Sequence, residues 1–192
     1  MEQNFKILNK YVWDFSLSLI YMKISTLKQE DYNPYYNNYI ANLKDDTLLE
    51  ALERDLESFQ EFIISIAASK LVSTYAKDKW TIAEIMVHII DTERVFQYRA
   101  LCIARNDKSS FPGFEQDDYV ANANSNNRSK ESLLNEFIAV RKSTIALFTS
   151  LSDTALQKRG EASNSSLSVA AAGFIISGHL RHHKKIVEER YL

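Results

Sequence analysis

Twice in this chain a threonine stands three residues ahead of a glutamate, at the head of a long run with apolar residues at helical spacing: Thr47-Leu-Leu-Glu50 and Thr81-Ile-Ala-Glu84. In a capping box of this kind the two side chains satisfy each other's free backbone amides and fix where a helix starts. After the first box, Leu49, Leu52, Leu56, Phe59 and Ile63 recur every three or four residues. After the second, the periodic run continues to about Arg105, and Trp80 and Ile85 are placed to staple its first turn. A third run spans about Lys130 to Leu151, with Leu133, Phe137, Val140, Thr144 and Leu147 in one stripe. A fourth starts near Ser166 or Ser168 and continues almost to the C-terminus. The fold class expected is all-α, an antiparallel four-helix bundle with a long crossover loop.

The rest of the composition agrees. Four glycines and two prolines are too few for the turns of a β-sandwich or barrel. With 192 residues, 45% of them hydrophobic, the chain can bury one sizeable core. A net charge of −2 gives no global pull toward nucleic acid or acidic membranes. Cys102 is the only cysteine, which excludes an intrachain disulfide and is compatible with a cytoplasmic location. Near the start, Asp14 interrupts the apolar run VWDFSLSLIYM and Lys23 closes it, which argues against a signal peptide or a membrane span. Met22 offers an alternative start. Residues 1–27 are therefore expected to be an N-terminal extension, and residues 28–192 the bundle domain.

Two segments interrupt the helices. Residues 106–129, NDKSSFPGFEQDDYVANANSNNRS, lack clear periodicity, but Phe111, Phe114 and Tyr119 predict a docked loop. The tyrosine-dense DYNPYYNNYI is expected to lie extended across the bundle surface.

The histidines carry the chemistry. Of four in the chain, three fall in the closing SGHLRHHKK and the fourth is His88. At about 100° per residue, His179 and His183 both fall near the centre of the last helix's apolar face, about 40° apart. His182 leans toward the side carrying Arg181, Lys184 and Lys185, which reads as a solvated basic face. On the second helix His88 lies within the face formed by Ile85, Ile89, Thr92 and Phe96. Three imidazoles thus aim at the core. Two of them one turn apart can share an ion that a third completes, and such a set suits zinc, nickel, iron or copper. Three protein ligands leave positions open for water or substrate, as in a catalytic centre. The alternative is that these are ordinary core histidines. Gly178, next to His179, would let a neighbouring helix approach closely.

Among other polar residues, Asp91 lies one turn beyond His88 and is a candidate base or orienting carboxylate, with a salt bridge to Arg94 as the competing reading. Glu93 reads as an exposed helix charge. Arg99 falls on the core side, where an ion pair is expected to neutralise it, with anion binding as the competing reading. Glu115, Asp117 and Asp118 could lend a carboxylate to the pocket or be a solvated acidic loop. Tyr98 and Tyr119 are further pocket candidates. Cys102 reads as a helix-packing residue.

Several stretches together resemble the DinB-like superfamily: YNPYYNNYI, KWTIAEIMVHIIDTERVFQYRALCIARND, FPGFEQDDYV, SLLNEFIAVRKSTIALFTSL and SVAAAGFIISGHLRHH. The resemblance implies a four-helix bundle, often homodimeric, with three histidines holding a divalent metal such as zinc, nickel, iron or manganese. It maps the ligands onto His88, His179 and His183. It further implies a small-molecule substrate and either hydrolysis or S-transfer with a low-molecular-weight thiol, without nucleic acid or membrane partners. A non-catalytic metal- or ligand-binding bundle, or a dimeric interaction module, is the alternative. Two departures bear on the pocket: Leu180 stands where such proteins carry an acidic residue, and Ala170 where they often carry arginine.

Overall fold

In a computed structural model of the chain, residues 22–43 and 46–192 are described. Four long helices carry the fold: α2 (Leu48–Ser65), α3 (Ile82–Ala104), α5 (Lys130–Thr149) and α7 (Val169–Arg190). Three short ones join them: α1 (Asn37–Ile40), α4 (Gln116–Asn122) and α6 (Asp153–Leu156). Both capping boxes form. The Thr47 amide donates to Glu50 Oε2 at 3.1 Å, and the Thr81 amide donates to Glu84 Oε2 at 2.7 Å. The last helix is capped by Ser168, whose hydroxyl accepts from the Ala171 amide at 3.1 Å.

The four long helices form a ring in which α2 and α3 each pack against both α5 and α7. Consecutive α3 and α5 are therefore neighbours despite the long connection between them. The connections from α2 to α3 and from α5 to α7 cross the bundle instead. The first half of helix α7 is fully enclosed, every residue from Val169 to Leu180 being buried. Helices α2 and α3, the short α1 and the strand preceding α7 surround it.

A three-stranded sheet, not foreseen from the sequence, ties the long connection to α7. Strand β1 (Ser110–Phe111) pairs in parallel with β2 (Arg159–Ala162), which forms an antiparallel hairpin with β3 (Ser165–Ser168). Strands this short show no alternation to read. The hairpin turns through Ser163 and Asn164 at φ 53° and 57°, the left-handed pair of a tight type I′ connection. The loop over 106–129 is docked, as expected, with Phe111 and Val120 buried.

Three further expectations change. The tyrosine segment is not extended: Pro34–Tyr36 forms a 3-10 turn and runs into α1, which packs on α7. Asn33 caps this turn by accepting from the Tyr35 amide at 2.9 Å, with proline in the first position. Glu93 is not exposed but 2% accessible, because α3 meets α5 there and Arg141 reaches it with two hydrogen bonds of 2.8 Å. Arg181 does not belong to a solvated face; it bridges to Asp55 in α2 at 2.8 Å and to Asp46 just ahead of that helix at 2.9 Å. Burial raises the Asp55 carboxyl above its ordinary value, against the pull of Arg181.

The expected extension covers residues 1–21, which lie outside the described residues, and Met22–Leu27. The Leu48 amide donates to the Met22 carbonyl at 2.9 Å, and Ile24 and Leu27 pack on the core.

Candidate metal centre

The face of α3 that meets α7 carries His88, and the face of α7 that meets α3 carries His179 and His183. The structure brings all three together. His179 Nε2 lies 3.0 Å from His88 Nε2 and 3.1 Å from His183 Nε2, and the three ligand atoms fall within 4.8 Å of one another. His88 and His179 are buried and His183 half-buried. Hydrogen bonding alone satisfies this arrangement poorly. One ring nitrogen of His179 either holds a proton and gives it to one neighbour, or holds a lone pair and receives one, so the second contact is left unmatched.

Burial keeps the cluster neutral. It pushes His88 down to about 4 and His183 down to about 3, the latter helped by His88 and His182. Desolvation carries His179 well below its ordinary value, with His183, His88 and His182 adding to the effect. Neutral imidazole is the form that ligates metal. Nitrogens bound about 2.0–2.1 Å from a tetrahedral zinc stand about 3.3 Å apart, close to the 3.0 and 3.1 Å separations here, and the third pair would draw in on the ion. The donor set therefore fits a divalent cation.

The rings are held by aromatic neighbours. Trp80, ahead of the α3 cap, lies tilted against His88 with ring centroids 4.8 Å apart. Tyr39 from α1 stands edge-on to His179 at 5.4 Å and close to His182 at 5.1 Å. Gly178 makes this contact possible, since a Cβ there would overlap the Tyr39 carbonyl. The close approach comes from the tyrosine segment, and its sequence signal was the Asn33-Pro34 helix start.

A cavity of about 280 Å³ opens beside His88 and His179, with Tyr36, Tyr39, Glu115 and Asp117 in its walls. A second, of about 330 Å³, lies beside His183 and Trp80 and also reaches Asp117. Asp117 of α4 thus lines both cavities. Asp91 is placed elsewhere, 3.5 Å from Arg94 and lining neither cavity. Tyr98 and Tyr119 are exposed and also outside both. Asp118 is exposed as well. Leu180 and Ala170, the two departures from the family pattern, are both buried in apolar packing. Arg99 is buried, but the acidic partner expected for it does not appear among the described residues.

The family model of the DinB superfamily matches residues 51–187, a span that includes all three histidines. Among solved structures, the fold is similar to that of YfiT from Bacillus subtilis, a probable metal-dependent hydrolase with an unusual four-helix bundle topology. The two share 14% identity and a TM-score of 0.65, over 90% of this chain and 95% of that one. No curated protein matches the chain.

Proposed function

This chain belongs to the DinB superfamily, and on that premise we propose that it is a metal-dependent enzyme acting on a small molecule, with His88, His179 and His183 as the metal ligands. The observation that carries the reading is the convergence of three neutral imidazole nitrogens within 4.8 Å beside a cavity of substrate size. A divalent ion bound there would supply a Lewis acid that makes water or a thiol nucleophilic near neutral pH. The protein's own part is to hold the three ring nitrogens in place, to wall the cavity with tyrosines, and to set Glu115 and Asp117 where a proton can be taken up. Hydrolysis is the reaction favoured, in keeping with the description of YfiT. Transfer to a low-molecular-weight thiol uses the same site. A cytoplasmic homodimer belongs to the same proposal; among the described residues no helix is long and apolar enough to cross a membrane.

Elemental analysis of purified protein tests the ligand set, compared with a His179→Ala/His183→Ala variant. Metal in the wild type and none in the variant is expected. Equal content in both, or none in either after metal-replete preparation, would remove the assignment. Ester, amide and thiol-plus-electrophile substrates then separate hydrolysis from S-transfer.

A further inference from the structure

Arg99 is 3% exposed, yet no carboxylate is paired with it among the described residues. Its contacts are neutral. Nη2 donates to the Pro112 carbonyl at 2.6 Å and faces the Ser163 hydroxyl at 3.3 Å, the Tyr36 hydroxyl is a further partner, and the guanidinium lies 5.2 Å from the Phe96 ring. A guanidinium has five N–H donors, so these contacts leave about two unspent. The chain's other deeply buried arginine, Arg141, is neutralised by a two-point contact with Glu93. A buried cation without its anion is costly, and Arg99 is held in that condition by groups that position it without neutralising it.

What it faces is open space. The cavity beside the histidines and a neighbouring one of about 370 Å³ both include Arg99, together with Tyr36, Phe96 and Ser163. Arg99 is the only charged residue lining the second cavity, whereas Glu115 and Asp117 line the first. The acidic residues are confined to the cavity beside the histidines, while Arg99 borders both cavities. His88, Thr92, Phe96 and Arg99 follow one another along a single face of α3, over an axial distance of about 16 Å. Between the two ends the Thr92 hydroxyl is buried with no hydrogen-bond partner. At the far end Ser163 adopts a left-handed backbone at φ 53°, a conformation serine seldom takes, and this sets its hydroxyl against Arg99.

We propose that Arg99, with Tyr36 and Ser163 beside it, is the recognition site for a carboxylate group on an elongated substrate whose reacting end lies at the three histidines. The carboxylate receives two N–H donors of the guanidinium in the planar pairing that arginine favours. The body of the molecule lies over Phe96 and Thr92. This deepens the reading of the histidines as a reaction centre, but the anion site can be tested without metal.

The test uses metal-stripped wild-type protein titrated with benzoate and 4-phenylbutyrate, each against its uncharged amide, with inorganic phosphate as a second anion. Calorimetry reports affinity, and the side-chain Nε resonances of ¹⁵N-arginine report contact. The carboxylates should bind and shift one arginine signal, the amides should bind about tenfold or more weakly, and Arg99→Gln should erase the difference. Should Arg99→Gln not fold, Ser163→Ala and the amide comparison in the wild type stand in its place. Equal binding of acid and amide, binding unchanged in Arg99→Gln, or phosphate outcompeting both carboxylates would overturn the proposal. Failure of the metal reading would show separately, as wild-type protein that takes up no metal while still distinguishing acid from amide.

Discussion

The Nε2 atoms of His88 and His179 face each other at 3.0 Å although 91 residues separate them in the chain. No hydrogen-bond pattern among three neutral imidazoles satisfies both this contact and the one to His183, whereas one cation satisfies all three. Zinc should therefore stabilise the fold, by an amount that grows with the logarithm of its concentration. At a thousandfold excess over the dissociation constant the gain is about 4 kcal/mol. That corresponds to a rise in melting temperature of about 10 °C in a chain of this size. Differential scanning calorimetry of wild type and His88→Ala checks it; a similar rise in both would place the ion elsewhere.

Acid should loosen the metal-free protein. His88 is pushed down to about 4 and His183 to about 3, below the ordinary histidine value of 6.5. Between those values the unfolded chain binds protons that the folded one refuses, so stability is complete above about 6.5 and is lost as pH falls toward 4. Each kcal/mol lost lowers the melting midpoint by about 2–4 °C. Melting curves from pH 7 to pH 4, on wild type and a His88→Phe variant, should diverge in slope, with the variant less sensitive to acid.

Glu93 and Arg141 make a different kind of pair. Both are buried and joined by two hydrogen bonds, and Arg141 also donates to the Leu52 carbonyl at 3.2 Å, linking α3, α5 and α2. Arg141→Met leaves the Glu93 charge buried and should cost about 3–5 kcal/mol. Arg141→Met/Glu93→Leu removes both charges and should recover most of that loss. Urea titration of the two variants decides it, and a double variant as weak as the single one would contradict the interpretation.

Gly178→Ala should act on the site through packing. The added methyl meets the Tyr39 backbone, so α1 must move away from His179 and His182. A loss of about 1–3 kcal/mol is expected, the usual range for overpacking, accompanied by weaker zinc binding in a competition assay with a chromogenic chelator. Unchanged affinity would mean that Tyr39 does not help to hold the ligand rings.

The residues whose roles follow from local chemistry were legible before any coordinates. Thr47, Thr81 and Ser168 start helices because their side chains cap nearby amides, and the inward aim of His88, His179 and His183 follows from helical period alone. Partnerships across the bundle were not legible. Glu93 looks like any helix-surface charge until Arg141 is known to stand opposite, and Arg99 looks like half of an ion pair until the pocket beside it is seen. The sheet was missed because its strands are only two to four residues long and carry no alternation of apolar residues. The tyrosine turn was missed because its Asn-Pro start was outweighed by a run of residues with little helical preference.

The placement of His88 and His179 on segments so distant in sequence also has a kinetic side. Closing a loop of about 90 residues is entropically slow and depends on nearly all of the bundle being in register, so the ligand set is completed late in folding. An ion that binds only the completed set acts on unfolding far more than on folding, in the manner of a removable cross-link. Metal would then set the lifetime of the native state, and a chelator would shorten that lifetime while leaving the rate of refolding almost untouched.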